Sequence, residues 1–199
     1  MRRIIMKLSI ALALLVGGGG VGRAQDLMKG YEAYESGDFS TALREWTALA
    51  ERGSAVAQNN VGAMYMKGQG VSQSDYEAVK WYRLSASQGY AQAQHNLGGA
   101  YRDGKGVLQD YREALKWFRM AASQGNADGQ AGLGSMYGLG HGVIQDNVYA
   151  HMWSNIAAAN GSDVGAKNRD FAARKMTNGQ IAQAQELARQ CVAKNYKGC

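Results

Sequence analysis

The sequence contains no proline and only two cysteines. Without proline, the breaks between helices must be made in another way, and the 27 glycines provide it. The two cysteines, Cys191 and Cys199, lie close together at the C-terminal end of the chain. In an oxidising compartment they are expected to form one disulfide that closes a short loop. A zinc site would need two further ligands, and none of the three histidines lies near this pair in sequence.

Motifs for catalysis or phosphate binding are also missing. The sequence has no Ser-x-x-Lys, no Lys-Thr-Gly, and no Lys-Ser or Lys-Thr after a glycine-rich turn. The segment Gly134–Gly138 resembles a nucleophile elbow only superficially, because Ser135 stands one position too early. His95, His141 and His151 have no helical metal-pair spacing, and His141 is expected to be a solvated loop residue. No catalytic residue, metal or cofactor is therefore predicted.

The first 24 residues have the layout of a secretory signal peptide. Arg2, Arg3 and Lys7 precede an apolar run over residues 8–16, Gly17–Gly20 should break any helix, and small residues favour cleavage after Ala24. The apolar run is well short of the roughly 20 residues that span a bilayer. We therefore expect a periplasmic or secreted protein with no stable membrane insertion after cleavage. A lipoprotein is not expected, because no cysteine lies near the cleavage site.

The positive net charge is concentrated in this leader. The leader holds four of the 22 basic residues and none of the 16 acidic ones, so cleavage removes most of the formal charge of +6. No basic stripe remains, and nucleic acid is not an expected partner.

Most of the chain repeats with a period of 36 residues. The repeated columns are Gly53/Gly89/Gly125/Gly161, Val61/Leu97/Leu133, Gly62/Gly98/Gly134, Tyr65/Tyr101/Tyr137, the Gly-x-Gly-Val turns beginning at Gly68, Gly104 and Gly140, Ala78/Ala114/Ala150, and Trp81/Trp117/Trp153. Such a period is typical of stacked helix pairs, and it identifies the glycine turns and aromatic columns as architecture rather than sites.

Each period is predicted to contain two helices. The first, around residues 55–67, places Ala57, Val61 and Tyr65 on one face, and the second covers about residues 75–87. Ser74-x-x-Glu77 predicts a capping box at the start of the second helix, and a glycine in the left-handed conformation is expected after its end.

The ends of the array differ from its middle, as capping units do. We predict an N-terminal helix pair at 25–52, three repeats at 53–88, 89–124 and 125–161, and C-terminal capping helices at 162–199. Within the last segment, a helix is expected over Ala166–Met176, and Thr177-x-x-Gln180 should cap a closing helix.

These residues resemble the Sel1-like repeat family, a relative of the tetratricopeptide repeat. The resemblance is clearest in the second repeat, at Ala93, Leu97-Gly98, Tyr101, Gly104-x-Gly106-Val107, Asp110-Tyr111, Ala114, Trp117-Phe118, Ala121-Ala122 and Gly125. It implies an all-α, right-handed solenoid of helix pairs with a C-terminal capping helix. The N-terminal pair, with Gly30 and Gly37-Asp38-Phe39, looks more like an ordinary tetratricopeptide unit.

The resemblance also implies a non-enzymatic scaffold that binds a protein or peptide in the bacterial envelope or outside the cell. The alternative is an envelope hydrolase acting on β-lactams or peptidoglycan, as linked to a cysteine-rich Sel1-like subgroup. This chain lacks cysteines inside its repeats, which is that subgroup's most visible feature. A third possibility is a structural subunit that makes contacts through its convex side or terminal helix.

By analogy with tetratricopeptide grooves, partner contacts are expected at first-helix positions that vary between repeats. The predicted groove residues are Asn59, Asn60, Met66, Lys67, His95, Asn96, Arg102, Asp103 and Ser135, beside the small or apolar positions Ala63, Gly99, Ala131, Gly138 and Leu139. This mixed surface favours an extended peptide or a flat protein face over a highly charged partner. The same positions could alternatively be ordinary solvated helix residues.

Overall fold

The computed structural model describes residues 20–199, which form ten helices and no strand. The helices are α1 (Gly20–Ser36), α2 (Phe39–Glu51), α3 (Ala55–Lys67), α4 (Asp75–Ser87), α5 (Ala91–Asp103), α6 (Tyr111–Ala122), α7 (Ala127–Leu139), α8 (Asn147–Ala159), α9 (Asp163–Ala173) and α10 (Asn178–Ala193). The predicted all-α class of consecutive helix pairs is confirmed. The described residues divide into two compact units, and the division along the chain falls between Trp81 and Tyr82 inside α4.

Most of the predicted signal peptide lies outside the described residues. Gly20, the last residue of the glycine run that was expected to break a helix, is the first residue of α1, and the rest of that run lies outside the described residues. Cleavage after Ala24 would fall within this helix. Within residues 20–199, no helix has both the length and the apolar character that crossing a bilayer requires.

The core of the first unit is built around Trp46. Gly30 of α1 lies against the indole so closely that a Cβ there would overlap the ring. The indole Nε1 donates to the carbonyl oxygen of Leu27 at 3.3 Å, and the ring of Tyr31 meets it edge-on with centroids 5.1 Å apart. Both the shape and the polar group of Trp46 are therefore matched by α1, which fixes α1 on α2.

Local sequence sets the ends of α3 at the predicted residues. Ser54 Oγ accepts from the backbone N–H of Ala57 at 3.4 Å, and Gly68 ends the helix with a φ of 66°. The turn continues to Gly70, where φ is 71° and a Cβ would overlap the carbonyl oxygen of Phe39. The Gly-x-Gly turn thus needs glycine for its conformation and for the approach of α2, as expected of an architectural motif.

In the second unit each helix from α5 to α8 packs on its successor, and the closing helix α10 packs on α8. Helix α5 contacts α6 and α7, α6 contacts α7, α7 contacts α8, and α8 contacts both α9 and α10. The core cluster includes Phe118, Leu133, Met136, Met152, Trp153 and Ile156.

The tryptophan column is less central than the sequence suggested. Trp81 and Trp117 are only half-buried, whereas Tyr82 and Phe118, one position later, are 4% and 0% exposed. In these two repeats the deeply buried aromatic residue is therefore the one that follows the tryptophan.

The C-terminal helices differ from the prediction in their bounds. Helix α9 begins at Asp163 rather than Ala166, because Ser162 Oγ accepts from the backbone N–H of Gly165 at 3.2 Å and caps an earlier start. It ends at Ala173 rather than Met176. The predicted capping box of Thr177 and Gln180 is confirmed in both directions at the start of α10.

The C-terminal tail is tied to this closing helix. Cys191 and Cys199 are joined by a disulfide, with Cα atoms 5.6 Å apart, which supports the predicted pairing.

Candidate partner-binding surface

The predicted groove residues of the first repeat occupy different depths. Asn59 is 6% exposed, and its Nδ2 lies 3.5 Å from Asn60 Oδ1, so it offers little surface to a partner. Asn60 is half-buried, and its own Nδ2 has no hydrogen-bond acceptor. Met66 is half-buried, while Lys67 is exposed and reaches Tyr34 Oη at 3.5 Å. Asn60 is therefore the member of this group with an unmet hydrogen bond.

In the second repeat two groove residues flank one core ring. The imidazole of His95 lies 5.7 Å from the centroid of Phe118, and the guanidinium of Arg102 lies over the same ring at 5.8 Å. Arg102 also holds Asp103 through two bonds, from Nε to Oδ1 at 2.7 Å and from Nη2 to Oδ2 at 2.9 Å. This contact raises the pKa of Arg102 and lowers that of Asp103, so both remain charged.

Asn96, in the same helix, contacts another polar side chain. Its Oδ1 accepts from Gln92 Nε2 at 3.4 Å, and Gln92 Oε1 in turn accepts from Asn126 Nδ2 at 3.2 Å. The surface is thus supported by side chains from both α5 and the start of α7.

Burial lowers the pKa of His95. Arg102 lowers it further by charge repulsion, while Asp128 acts in the opposite direction. The ring Nδ1 is shielded from solvent and has no hydrogen-bond partner. The neutral imidazole therefore prevails at neutral pH.

Ser135, the predicted groove residue of the third repeat, lines a cavity of about 150 Å³. The cavity walls come from α7, α8 and α9, and comprise Gly134, Ser135, Gly138, Leu139, Asn147, Ala150, Ser154, Asn168, Phe171 and Ala172. Ser135 Oγ accepts from Asn168 Nδ2 at 2.9 Å. Ser154 is 1% exposed, and its Oγ has no hydrogen-bond partner.

The sequence prediction missed Ser154, Asn168 and Phe171 because it looked for variation only on first helices. One signal was available. Ser154 stands 36 residues after Phe118 and 72 after Tyr82, so the column that follows tryptophan changes from aromatic to serine in the third repeat.

The other two histidines also differ from a solvated surface residue. His141 was predicted to be a solvated loop residue, but it is half-buried and stacks on Tyr111 with centroids 4.1 Å apart. The prediction failed because the glycine turn folds back onto the start of α6, where the carbonyl oxygen of Tyr111 would lie 2.5 Å from a Cβ at Gly142. His151 is buried, and burial lowers its pKa. Among residues 20–199, no group of three or more His, Cys, Asp or Glu side chains is arranged to hold a metal ion.

Two solved structures with this architecture come from bacterial proteins. The structure of c5321, a protective antigen present in uropathogenic Escherichia coli strains and displaying an SLR fold, matches with a TM-score of 0.73 and 30% identity over 96% of this chain and 47% of that one. A Sel1 repeat protein from Oxalobacter formigenes matches with a TM-score of 0.64 and 27% identity over 83% of this chain and 75% of that one.

A curated relative matches over a shorter stretch. An exopolysaccharide production negative regulator of Rhizobium leguminosarum bv. viciae is 35% identical over 91 residues, which cover 40% of this chain. The chain spans about a third of that relative's length, with 34% of it covered.

The Sel1 repeat profile matches residues 55–90, 91–126 and 127–162, which together make up more than half of the chain. Each match begins at the first residue of a helix, namely α3, α5 and α7. Sel1 repeat proteins typically mediate protein–protein interactions and are generally non-enzymatic scaffolds. The chain belongs to the Sel1 repeat family.

Proposed function

We propose that this protein is a non-enzymatic scaffold that binds a partner protein through residues of its first helices. The observation that carries the proposal is the run of three Sel1 repeats over residues 55–162, because this family typically mediates protein–protein interactions. Met66 and Lys67 in the first repeat and Arg102 in the second are at least partly exposed, so these predicted contact residues are within reach of a partner.

The surrounding side chains suit a peptide of mixed character. Arg102 and Asp103 neutralise each other, so they leave little net charge at this part of α5. Lys67 is exposed at the end of α3, while Met66 beside it is half-buried and apolar. The partner is therefore a protein segment with both polar and apolar residues rather than nucleic acid.

We place this scaffold in the bacterial envelope or outside the cell. The disulfide between Cys191 and Cys199 supports this location, because such bonds persist in oxidising compartments. The basic and apolar pattern of residues 2–24 also favours export through a cleaved signal peptide, although those residues lie mostly outside the described part of the chain.

The geometry around Ser135 favours binding over hydrolysis. Its hydroxyl accepts a hydrogen bond from the amide of Asn168, and an amide cannot remove the serine proton as a general base. Ser135 also lies within the regular helix α7 rather than on a strained turn. A nitrocefin assay should therefore give no turnover above background. Turnover that disappears in Ser135→Ala would overturn the proposal.

Site-specific photocrosslinking tests the binding surface in native extracts. A photoreactive phenylalanine at Met66 or at Arg102 should capture one discrete partner. The same group at Lys80 or Lys116, exposed on the second helices, serves as the matched control. Equal capture from both sets would contradict the assignment of the surface.

The partner identified in this way allows a quantitative test. Exchanging Asn60, Asn96 and Arg102 for Ala should weaken its binding by at least about tenfold, because each lost hydrogen bond contributes roughly 0.5–1.5 kcal/mol. The melting temperature should change little, since the ion pair of Arg102 is partly exposed and contributes about 0–1 kcal/mol. Unchanged affinity would show that the first helices do not form the interface.

A further inference from the structure

Tyr196 of the C-terminal tail contacts two repeats at once. Its ring lies against Gly125, where a Cβ would be 3.1 Å from Tyr196 Cε2. Its phenol oxygen accepts a hydrogen bond from Asn160 Nδ2 at 3.2 Å. Gly125 lies in the turn after α6 and Asn160 directly follows α8, so this one side chain joins the ends of the second and third repeats.

The contact adds to a hydrogen-bond ladder that recurs with the 36-residue period. Asn160 Nδ2 also donates to Gln130 Oε1 at 2.8 Å, and one repeat earlier Gln124 Nε2 donates to Gln94 Oε1 at 2.7 Å. Because the earlier step forms without the tail, Tyr196 is an additional member bound to the last step of the ladder.

The backbone conformation of the tail is unfavourable for the residue that makes this contact. Asn195 and Tyr196 have φ values of 50° and 63°, which lie in the left-handed region. Asparagine enters this region more readily than other side-chain-bearing residues, whereas tyrosine rarely does. The Tyr196 N–H donates to the carbonyl oxygen of Cys191 at 2.9 Å. This single backbone bond opposes the intrinsic preference of Tyr196, so a further restraint is needed to keep the ring in place.

The disulfide between Cys191 and Cys199 supplies that restraint. Cys199 stands three residues after Tyr196, so the bond closes the loop that contains the ring. Cys191 is 2% exposed and packs in the same core cluster as Trp153 and Ile156 of α8. The tail is therefore anchored at a fixed point of the core, close to the repeats that Tyr196 contacts.

We propose that this disulfide is a redox-operated latch, which holds Tyr196 on the second and third repeats when oxidised and releases it when reduced. A dithiol reductant opens the latch. One of its thiolates attacks the sulfur of Cys199, the more exposed of the pair, and Cys191 leaves as a thiolate that takes up a proton.

The second thiol of the reductant then attacks the mixed disulfide, and Cys199 leaves in the same way. The protein takes up two electrons and two protons, and the reductant becomes a disulfide. The open and closed states differ in the tail and its contacts, while the fold of the repeats is the same.

The two states correspond to reducing and oxidising compartments. Closure of the latch after export rests on the proposed location outside the cytoplasm, whereas the latch itself is a property of the purified chain. In the exported protein, the last contact between the second and third repeats would form only after the chain has left the reducing compartment.

Reduction of the purified, 15N-labelled protein with dithiothreitol tests the release of Tyr196. The amide resonances of Gly125 and Asn160 should move when the aromatic ring leaves, and reoxidation should restore them. Gly89 is the internal control, because it stands one period before Gly125 and a Cβ there would meet no atom within 4 Å. Its resonance should stay in place. Unmoved resonances of Gly125 and Asn160 after complete reduction would overturn the proposal.

A variant separates a latch from a disulfide that only restricts the unfolded chain. In the oxidised protein, Tyr196→Ala should raise the equilibrium constant of unfolding in urea about tenfold, because a hydrogen bond and the ring contact are lost. In the reduced protein the same exchange should change that constant by less than about twofold, because Tyr196 is already released. Lys197→Ala, exposed in the same loop, is the matched control and should change neither form. Equal effects of Tyr196→Ala in the two forms would overturn the proposal.

Failure of the latch is distinguishable from failure of the proposed location. Both measurements use purified protein and do not depend on the compartment. Alkylation of thiols in intact cells tests the location, and Cys191 and Cys199 should be protected from the reagent. Reactive thiols in cells, together with a latch that operates in the purified protein, would contradict the location alone.

Discussion

The side-chain Nε2 of Gln130 donates to the carbonyl oxygen of Ala122 at 3.3 Å, so that the start of α7 caps the end of α6. The same bond joins Gln94 to Ala86 at 3.3 Å and Gln58 to Ala50 at 3.0 Å. Each of these carbonyl oxygens also accepts from the backbone N–H of the glycine three residues later, at 3.0 Å in all three cases. The glutamine of each repeat therefore adds a second, side-chain hydrogen bond to the end of the preceding helix.

Replacing Gln130 with Leu should destabilise the protein by about 1–3 kcal/mol, because two side-chain hydrogen bonds of roughly 0.5–1.5 kcal/mol each are lost. One is donated to the Ala122 carbonyl, which still accepts from Gly125 N–H, and the other is accepted at 2.8 Å from Asn160 Nδ2, which still donates to Tyr196 Oη. The free energy of unfolding in urea measures the effect. Gln185→Leu on the exposed side of α10 is the matched control and should change it by less than about 0.5 kcal/mol. Equal losses in the two variants would contradict the capping role.

Two adjacent glycines in α5 should respond oppositely to alanine. Gly98→Ala places a Cβ 2.9 Å from the ring of Phe118 and should cost about 1–3 kcal/mol. Gly99→Ala meets no atom within 4 Å and should stabilise the helix by about 0.5–1 kcal/mol. Thermal unfolding should show a lower melting temperature for Gly98→Ala and a higher one for Gly99→Ala than for the unaltered protein. Destabilisation by both would show that α5 tolerates no side chain at either position.

Removing the disulfide should loosen the tail without unfolding the repeats. The double exchange Cys191→Ala and Cys199→Ala opens a short loop, and the freedom gained by the unfolded chain should lower the free energy of unfolding by about 2.5 kcal/mol. Within this loop Asn195 and Tyr196 have φ values of 50° and 63°, which residues other than glycine rarely adopt. Hydrogen exchange should therefore accelerate at residues 194–199 while α5–α8 remain protected. Loss of protection throughout the repeats would contradict this view.

Stability should fall as the pH is lowered from about 7 towards 5. Burial lowers the pKa of His95 below its ordinary 6.5, so the unfolded chain takes up a proton before the folded protein does. The contribution of neutral His95 is complete above the unfolded value. It declines as the pH drops from there to the lowered folded value, and it is constant below that.

The variant His95→Gln should show a shallower decline of the melting temperature over this range. His151 is shifted in the same direction by burial, so His151→Gln should remove a further part. An unchanged slope in the double variant would show that these imidazoles do not titrate differently in the folded and unfolded states.

The repeated parts of the fold were predictable because several local signals agree there. For α3 and α4 the bounds were predicted correctly, since a capping side chain marks each start and a glycine follows each end. The bounds of α9 were predicted wrongly, because the 36-residue pattern lapses there and Ser162 was not recognised as the residue that caps the helix.

The candidate surface was less predictable, because the burial of each side chain depends on contacts between helices. Asn59 and Asn60 are neighbours with similar chemistry, yet one is buried against the core and the other retains an unpaired amide nitrogen. The cavity near Ser135 is formed by residues of α7, α8 and α9 together, so no motif within α7 alone indicates it. Comparing every column for loss of volume, in addition to change of polarity, would have revealed Ser154.

The closing helix α10 also limits how long the array can be. Its residues Ala184, Ala188 and Cys191 pack into the same cluster as Trp153 and Ile156 of α8, while most of its other residues face solvent. An additional repeat, or a second molecule joining end to end, would have to displace this helix first. Closure of this side of α8 therefore depends on one amphipathic segment rather than on the repeat sequence itself.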